Sequence, residues 1–252
     1  LAFAREPGGA ETIAPVVAKL RNRGQVEVEL LAKDYSAARF AAVGLDYVDT
    51  EWADGEGLGP QVEAIVAERS PDVLLTSASS RPQDDMTEKL LWKFAADRDV
   101  PSLAVLDQWQ NYIMRFSGPS AGERLGYMPS CVAVMDEAVR RDMVSEGFPT
   151  DRILVSGHPR FEVLRDYAAR TDRDAARDKV AALGIEPDAR IVTFVSEPAR
   201  RFFAAEEGFD ETSTLAALLD CCRGWADGDA IDIALKYHPR NTLEDFAGMD
   251  DP

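Results

Sequence analysis

The sequence predicts an α/β protein built on parallel β-sheets, and three observations support this class. Short runs of β-branched and apolar residues alternate with helix-length amphipathic stretches along nearly the whole chain. With 252 residues, 46% of them hydrophobic and 29% charged, the chain can bury a sizeable core and has an ordinary globular composition. No apolar run approaches the roughly 20 residues that a membrane-spanning helix needs.

The first half of the chain predicts repeated strand–helix units. The predicted strands are residues 1–4, 26–32, 72–76, 102–106, 132–135 and 152–155. The predicted helices are residues 12–23, 35–43, 61–69, 83–98 and 136–146. In the first helix, Pro15 fits the opening turn, where the missing N–H of proline is tolerated. Residues 107–130 interrupt the pattern as a long loop of aromatic and polar residues, and loops of that length are often functional.

The second half repeats the pattern less completely. Two helical stretches extend to Leu183, and predicted strands at 190–196 and 230–237 flank a helix at 213–226. The sequence therefore predicts two Rossmann-like domains with parallel sheets, residues 1–157 and residues 158–252. The second domain has only two strands and is expected to be incomplete.

Composition limits the classes of partner and site. The net charge of −17 argues against a nonspecific grip on nucleic acid, because the average field of the protein repels a phosphate backbone. The three cysteines, Cys131, Cys221 and Cys222, form neither an even disulfide framework nor a metal-ligand spacing, and they favour a reducing, cytoplasmic location. We expect no metal and no bound cofactor. Without a membrane span, only peripheral contact with a membrane is left open.

The first candidate site is the segment Arg5-Glu-Pro-Gly-Gly-Ala-Glu-Thr12, which follows the first strand. Its glycines, Gly8 and Gly9, allow a tight turn and a close approach of the backbone to a ligand. The N-terminus of the next helix offers free N–H groups that suit an anion or a sugar hydroxyl. The segment is neither a Gly-x-Gly-x-x-Gly fingerprint nor a Walker loop, which argues against redox-dinucleotide and P-loop sites. A tight turn without a ligand is the alternative.

The second candidate site begins at Asp107 and also follows a strand. Because the carboxyl ends of parallel strands meet at one edge of a sheet, the segment 107–116 should lie beside the glycine turn. Asp107 and Asn111 supply hydrogen-bonding groups, and Arg115 supplies a cation. Trp109 has a ring that can stack on a ligand, although covering the edge of the core is the favoured role for it.

Both histidines of the chain, His158 and His238, lie in a His-Pro-Arg sequence after a predicted strand. The proline holds the preceding histidine in extended backbone at the strand exit. Lys236, His238 and Arg240 gather three groups that can donate hydrogen bonds to phosphate in an otherwise acidic chain. For His158, a hinge or an ordinary loop position is an equally weighted alternative.

A further candidate is the segment Ser196-Glu-Pro-Ala-Arg-Arg201, which leaves the first strand of the second half. Ser196 and Arg200 are expected to face the cleft between the domains, where they can meet a phosphate. A solvated run of charges is the alternative. The sequence contains neither an Asp/Glu–His metal spacing nor the Gly-x-Ser-x-Gly elbow of a hydrolase.

Taken in order, these stretches resemble the GT-B glycosyltransferase superfamily, near the surface-polysaccharide branch around lipid A disaccharide synthase, UDP-N-acetylglucosamine 2-epimerase and CDP-glycerol glycerophosphotransferase. The segments that carry the resemblance are Glu6-Pro-Gly-Gly-Ala10, Asp107-Gln-Trp-Gln-Asn-Tyr112, Arg115-Phe116, Met128-Pro-Ser130, Val132–Asp136, Gly157-His-Pro159 and Lys236-Tyr-His-Pro-Arg240. Each motif is short, and together they span nearly the whole chain.

The resemblance implies an enzyme whose first domain receives an acceptor and whose second domain holds a nucleotide-activated sugar as co-substrate. The implied catalytic residues are Glu11 or else Asp107 as base, and His238 beside the leaving group. The implied donor-side residues are Lys236, His238, Arg240, Ser196 and Arg200. The implied acceptor-side residues are Gly8, Gly9, Asn111, Arg115 and His158. The glycine turn and the Lys236–Arg240 group are expected to face each other across a gap.

The function expected from this resemblance is transfer of a sugar, or a sugar-like phospho group, to a glycan or small-molecule acceptor in cell-surface polysaccharide or glycoconjugate synthesis. Two alternatives stay open. One is a nucleotide-sugar epimerase or hydrolase that uses the same cleft. The other is a degenerate, non-catalytic nucleotide-sugar-binding protein, because the later segment that grips the base and ribose in the superfamily is not visible in this sequence.

Overall fold

The computed structural model describes residues 1–79, 81–185, 189–202, 204, 208–225, 231–238 and 241–249. The chain forms two compact units, Leu1–Ala169 and Arg170–Pro252. This division lies later in the chain than residue 157, where the sequence placed it. The helix that starts at Pro159 belongs to the first unit, to which ion pairs connect it, including Lys19 Nζ to Glu162 Oε2 at 3.4 Å.

The first unit contains a seven-stranded parallel sheet. Its strands are β1 (Ala2–Ala4), β2 (Leu30–Ala32), β3 (Val48–Asp49), β4 (Leu74–Ser77), β5 (Ser102–Val105), β6 (Cys131–Val134) and β7 (Ile153–Val155). Their order is β3-β2-β1-β4-β5-β6-β7, with parallel neighbours throughout. The direction of winding reverses between β1 and β4. In open sheets of this kind, ligands gather outside the carboxyl ends of the strands at that reversal.

The helices of the first unit cover the two faces of the sheet. They are α1 (Pro7–Arg23), α2 (Tyr35–Ala42), α3 (Leu58–Arg69), α4 (Thr87–Ala96), α5 (Tyr112–Arg115), α6 (Glu137–Ser145) and α7 (Pro159–Arg170). One apolar cluster contains Trp92 and Phe116, and a second contains Ile13 and Phe40. Because both faces are covered, the strands appear in the sequence as continuous apolar runs.

Helix α1 begins earlier than the sequence predicted. It starts at Pro7, a favoured first helical residue because its φ is already helical and it needs no N–H partner there. Gly8 and Gly9 therefore lie in the first turn of the helix and not in a loop before it. The prediction that Pro15 occupies the opening turn was wrong, because Pro15 lies inside the helix and cannot donate to the carbonyl of Glu11.

Two other features were not predicted. Strand β3 has only two residues, Val48 and Asp49, and both are exposed, so no apolar run marks it. The long loop 107–130 contains α5 and a 3₁₀ turn at Ala121–Glu123, which a capping box stabilises. The remaining predicted elements of the first unit agree with the structure apart from shifts at their ends.

The second unit contains a two-stranded parallel sheet. Its elements are β8 (Arg190–Val195), β9 (Ile231–Lys236), α8 (Arg173–Ala181), α9 (Ala199–Phe202) and α10 (Glu211–Trp225). Val195 pairs with Lys236, so both strands end at the same edge of this small sheet. None of the helices in the described part of the chain has the length and apolar character that crossing a bilayer requires.

Candidate functional site

The candidate site of the first unit lies where β4 and β5 end beneath the first turn of α1. The helix passes so close to the strand ends that a side chain larger than hydrogen does not fit. A Cβ atom built on Gly8 would lie 2.7 Å from Oδ2 of Asp107. One built on Gly9 would lie 2.6 Å from Cβ of Ser77 and from Oγ of Ser79. The glycine segment and the segment that begins at Asp107 therefore lie in direct contact.

Arg115 holds Asp107 in place from the other side. Its Nη1 donates to Oδ1 of Asp107 at 2.8 Å, and its Nε donates to the carbonyl of Gln110 at 3.2 Å. Further hydrogen bonds reach the carbonyl of Ala78 and the side chain of Gln108. Only 5% of Arg115 is exposed, so its guanidinium belongs to the framework of the site. Oδ1 of Asp107 is thereby fixed, and Oδ2 faces the first turn of α1.

His158 braces the loop that carries Asp107. Its Nδ1 accepts a hydrogen bond from the backbone N–H of Arg160 at 3.2 Å, which assigns the ring proton to Nε2. Nε2 then donates to the backbone carbonyl of Asp107 at 3.2 Å. The sequence prediction for His158 left a site role and a loop role open, and the geometry puts this histidine against the backbone of the candidate base.

Trp109 and Phe161 pack around His158. The ring centroids of Trp109 and His158 are 5.9 Å apart, and those of His158 and Phe161 are 4.7 Å apart. The indole Nε1 of Trp109 donates to Oδ2 of Asp136 at 2.8 Å. This hydrogen bond, together with the backbone N–H of Val139, lowers the pKa of Asp136 below its usual value.

Glu11, the other candidate base, lies on α1 with its carboxylate between two arginines. Oε1 is 3.5 Å from Nη1 of Arg39, and Oε2 is 3.5 Å from Nε of Arg160. About a third of the side chain is exposed (36%), so Glu11 is more accessible to solvent than Asp107, whose side chain is 4% exposed.

Sequence reasoning missed a group of polar residues at the end of β4. The carboxylate of Glu88 accepts a hydrogen bond from the hydroxyl of Ser77 and another from the backbone N–H of Ser79 at 3.1 Å. Glu88 is 1% exposed and Ser77 is fully buried. The sequence does contain a signal for this group, which is a pair of serines at a strand end followed by an acidic residue in the first turn of the next helix.

A charge cluster borders this group, in which Lys33 and Asp85 are buried and Asp54 is exposed. Nζ of Lys33 donates to Oδ1 of Asp85 at 2.6 Å and to Oδ1 of Asp54 at 2.7 Å. Burial lowers the pKa of Lys33, but these two carboxylates outweigh burial and raise it overall. Lys89 shows the opposite balance, because burial lowers its pKa to about 8 despite the nearby charge of Glu88.

Asn111 lines a cavity beside α5. The residue adopts the left-handed conformation at the start of the helix, with φ of 61°. The cavity has a volume of about 500 Å³, and Gln83, Met114, Ser120 and Arg124 also line it. Its lining is mixed and includes polar side chains, apolar side chains and the cation of Arg124.

In the second unit, Ser196 follows β8 and lies beside the end of β9. Its backbone N–H donates to the carbonyl of Lys236 at 2.9 Å, and its hydroxyl donates to Oδ1 of Asn241 at 3.1 Å. Asn241 in turn donates to Oε1 of Glu211 at 3.1 Å. Ser196, Lys236 and His238 thus share one edge of the small sheet, whereas Arg240 lies outside the described residues.

Arg200 is engaged within the second unit. Its Nε donates to Oδ2 of Asp210 at 2.9 Å, and its Nη2 donates to the hydroxyl of Thr212 at 2.7 Å. The backbone N–H of Ser213, the hydroxyl of Thr212 and this guanidinium hold the pKa of Asp210 well below its usual range. Across the described ranges, no group of three or more His, Cys, Asp or Glu side chains is arranged to hold a metal ion.

The topology is that of an α/β fold built on parallel sheets, and solved structures with the GT-B fold share it. The UDP-GlcNAc 2-epimerase from Neisseria meningitidis bound to UDP-GlcNAc is 13% identical with a TM-score of 0.66, over 95% of this chain and 66% of that one. The S. aureus MnaA–UDP co-structure is 13% identical with a TM-score of 0.69, over 98% and 64%. The calicheamicin glycosyltransferase is 12% identical with a TM-score of 0.51, over 98% and 67%.

These likenesses confirm the GT-B-type fold that the sequence motifs led us to expect. The chain spans about two thirds of the length of these structures. No protein-family model matches the sequence, and no curated protein matches it.

Proposed function

We propose that this chain is a glycosyltransferase-like enzyme that transfers a sugar from a nucleotide-activated donor in cytoplasmic synthesis of cell-surface polysaccharide or glycoconjugate. The observation that carries the proposal is Asp107, a carboxylate at the end of a central strand. Arg115 fixes its Oδ1, and the glycine turn of α1 lies against its Oδ2. A carboxylate fixed at the end of a central strand is suited to orient an acceptor hydroxyl and to take its proton.

In the proposed reaction, Oδ2 of Asp107 takes the proton of the acceptor hydroxyl, and Glu11 is the second candidate for this role. The hydroxyl oxygen forms a bond to C1 of the donor sugar. The bond between C1 and the phosphate oxygen breaks, and its electron pair leaves with the nucleotide. Gly8, Gly9, Asn111 and His158 would then line the acceptor side, with Arg115 behind Asp107.

The second unit is proposed to hold the donor. Lys236 and His238 follow β9, and Ser196 follows β8 at the same edge of the sheet. The ammonium of Lys236, the imidazole of His238 and the hydroxyl of Ser196 can each donate a hydrogen bond. Such donors at the carboxyl edge of a parallel sheet suit the phosphates of a nucleotide sugar. Arg200 and Arg240 complete the proposed set. The similar structures from Neisseria meningitidis and S. aureus are complexes with UDP-GlcNAc and with UDP, which supports a nucleotide sugar as the ligand class.

The proposal is tested first by binding and then by turnover. UDP-, CDP-, CMP- and GDP-sugars are screened by thermal shift, since a ligand at 100 times its dissociation constant adds about 2.7 kcal/mol to the free energy of unfolding. The donor that binds is then incubated with glycan and small-molecule acceptors, and nucleotide and glycoside are quantified together. A transferase releases them in equal amounts.

Two variants assign the roles. Asp107→Asn is expected to lower kcat by about 100-fold, the size of a lost general base, with little change in donor affinity. His238→Ala is expected to lower kcat by about tenfold or more through weaker stabilisation of the leaving phosphate. Glu11→Gln serves as the comparison. If Glu11→Gln abolishes turnover and Asp107→Asn does not, Glu11 is the base and Asp107 is not.

A nucleotide-sugar epimerase or hydrolase is the second candidate function. It is favoured by the higher TM-scores to UDP-GlcNAc 2-epimerases, 0.66 against 0.51 for the glycosyltransferase. Incubation of the donor without an acceptor separates the reactions. An epimerase yields the C2 epimer with no net nucleotide release, and a hydrolase yields free sugar and nucleotide. Binding without any turnover would identify a non-catalytic nucleotide-sugar-binding protein.

A further inference from the structure

Trp109 is a large apolar side chain that is both exposed and rigidly oriented. It is 47% exposed, although burying such a ring fully would contribute roughly 1.5–3 kcal/mol. Its Nε1 is anchored to Oδ2 of Asp136 at 2.8 Å. The rings of His158 and Phe161 lie nearly parallel to it, each with an interplanar angle of 22° and a centroid distance of 5.9 Å. An exposed aromatic ring held in this way presents a fixed flat surface.

This flat surface belongs to the candidate site. Trp109 lies two residues after Asp107 in the same loop. His158, which packs against the indole, donates its Nε2–H to the backbone carbonyl of Asp107 at 3.2 Å. A ligand on the exposed part of the indole would therefore be close to the loop that carries the candidate base.

Bracing alone does not explain the position of Trp109. His158 and Phe161 already stack on each other at 4.7 Å with an interplanar angle of 13°, so they connect α7 to the loop without the indole. Removing exposed apolar surface from water would favour a more buried position for the indole. Its exposed part is therefore open to a flat apolar surface of a ligand.

We propose that Trp109 is the platform on which the pyranose ring of the donor sugar stacks, an inference that rests on the proposed function. The C–H face of a pyranose is flat and apolar, and stacking leaves its hydroxyl groups free for polar contacts. The anionic carboxylate of Asp136 and the net charge of −17 disfavour a phosphate at this position and accept a neutral sugar. A tryptophan fixed in advance loses little conformational entropy on binding.

The test compares UDP-GlcNAc with UDP by calorimetry on the wild-type chain and on Trp109→Ala. The ratio of their dissociation constants reports the contribution of the sugar. We expect Trp109→Ala to weaken UDP-GlcNAc by about tenfold and to leave UDP unchanged. Trp109→Phe, which keeps a ring, should restore most of the affinity. An unchanged ratio in Trp109→Ala overturns the platform, and an equal loss for both ligands assigns Trp109 to the nucleotide.

Two controls separate stacking from folding. Phe161→Ala removes a ring that orients the indole but keeps the indole itself, so it should change the ratio less than Trp109→Ala does, whereas a purely structural stack predicts equal effects for both residues. Trp109→Leu keeps an apolar side chain without a ring. If Trp109→Ala fails to fold, the comparison is made between Trp109→Leu and Trp109→Phe. The proposal then predicts that only Trp109→Phe binds UDP-GlcNAc more tightly than UDP by the wild-type ratio or close to it.

A second readout keeps the inference testable if the proposed donor is wrong. Tryptophan fluorescence is titrated with N-acetylglucosamine alone, in the wild type and in Trp109→Phe. If neither UDP nor UDP-GlcNAc binds, the proposed function fails for this donor, while a response to the free sugar that is lost in Trp109→Phe still supports the platform. If neither UDP-GlcNAc nor the free sugar gives a response that depends on Trp109, the platform is rejected.

Discussion

Individual side chains in the first unit show that the candidate site is built from buried charges. Asp107 and Arg115 form an ion pair at 2.8 Å with 4% and 5% of their side chains exposed. Such a pair contributes modest net stability, but removing one partner leaves the other charge buried without compensation. The pair therefore makes the geometry of Asp107 depend on Arg115.

Replacement of Arg115 should reveal this dependence. We expect Arg115→Met to lower the free energy of unfolding by about 3–5 kcal/mol, because the charge of Asp107 stays buried without its partner. Urea denaturation measures the change. Arg165→Met is the matched control, since Arg165 is 73% exposed and its pairing with Asp166 should contribute less than about 1 kcal/mol. Equal changes in the two variants would show that burial of the pair is not decisive.

The glycine at position 8 is required by close packing. In Gly8→Ala, the new methyl group meets the fixed carboxylate of Asp107, so we expect a loss of about 1–3 kcal/mol in the free energy of unfolding and a lower kcat. Gly59→Ala, in the first turn of α3, is the control. A Cβ there has no described neighbour within 4 Å, and the substitution should raise stability by up to about 1 kcal/mol.

Lys89 couples stability to pH. Burial lowers its pKa to about 8 in the folded chain from an ordinary 10.5, so the unfolded chain binds more protons between these values. Stability should therefore rise with pH from about 8 to 10.5, by up to roughly 3 kcal/mol. Denaturant unfolding at several pH values, with Lys89→Met as the reference, measures the effect. A stability difference that does not change between pH 7.5 and 10 would contradict it.

Among the helices, α6 depends on a residue that also serves the site. Asp136 caps α6, where its Oδ1 accepts the N–H of Val139 at 2.9 Å, while its Oδ2 accepts the indole N–H of Trp109. Asp136→Ala should cost about 1 kcal/mol of unfolding free energy through loss of the cap. Asp136→Asn keeps one acceptor oxygen for the cap, so it should lose less stability than Asp136→Ala, while both variants should change the fluorescence of Trp109. An equal loss of unfolding free energy in the two variants would contradict this division of roles between the two oxygens.

Periodicity predicted most helices and strands because each amphipathic stretch carries its own pattern. It failed where local sequence has no periodic signal. Strand β3 is exposed and depends on the backbone of β2, and the first turn of α1 contains Pro7 and two glycines that indicate a loop when taken alone. This turn is helical because it packs against the strand ends. That packing joins residues far apart in the sequence, so local helix propensity does not predict it.

For the molecule as a whole, parallel-sheet geometry explains which parts of the site could be predicted. Strands that run in one direction end at one edge, so the glycine segment and Asp107 were expected to lie together from their positions after strands. The partners of Asp107 and the contact of Ser77 with Glu88 depend on side-chain pairing across the fold, and sequence spacing contains no such information. The predicted roles of Lys236, His238 and Arg240 toward a donor stay predictions.

The division between the units gives the last prediction. Because α7 belongs to the first unit, a fragment of residues 1–169 should fold cooperatively on the two apolar clusters of its sheet, and a fragment ending at residue 157 should be less stable. The shorter fragment loses the stack of His158 and Phe161 on Trp109 and the ion pairs of Arg160 and Glu162. These contacts together suggest a difference of about 1–3 kcal/mol, since each exposed pair contributes little and the stack contributes most. Urea denaturation of both fragments measures it, and equal stabilities would place the boundary at residue 157, because α7 would then contribute nothing to the first unit.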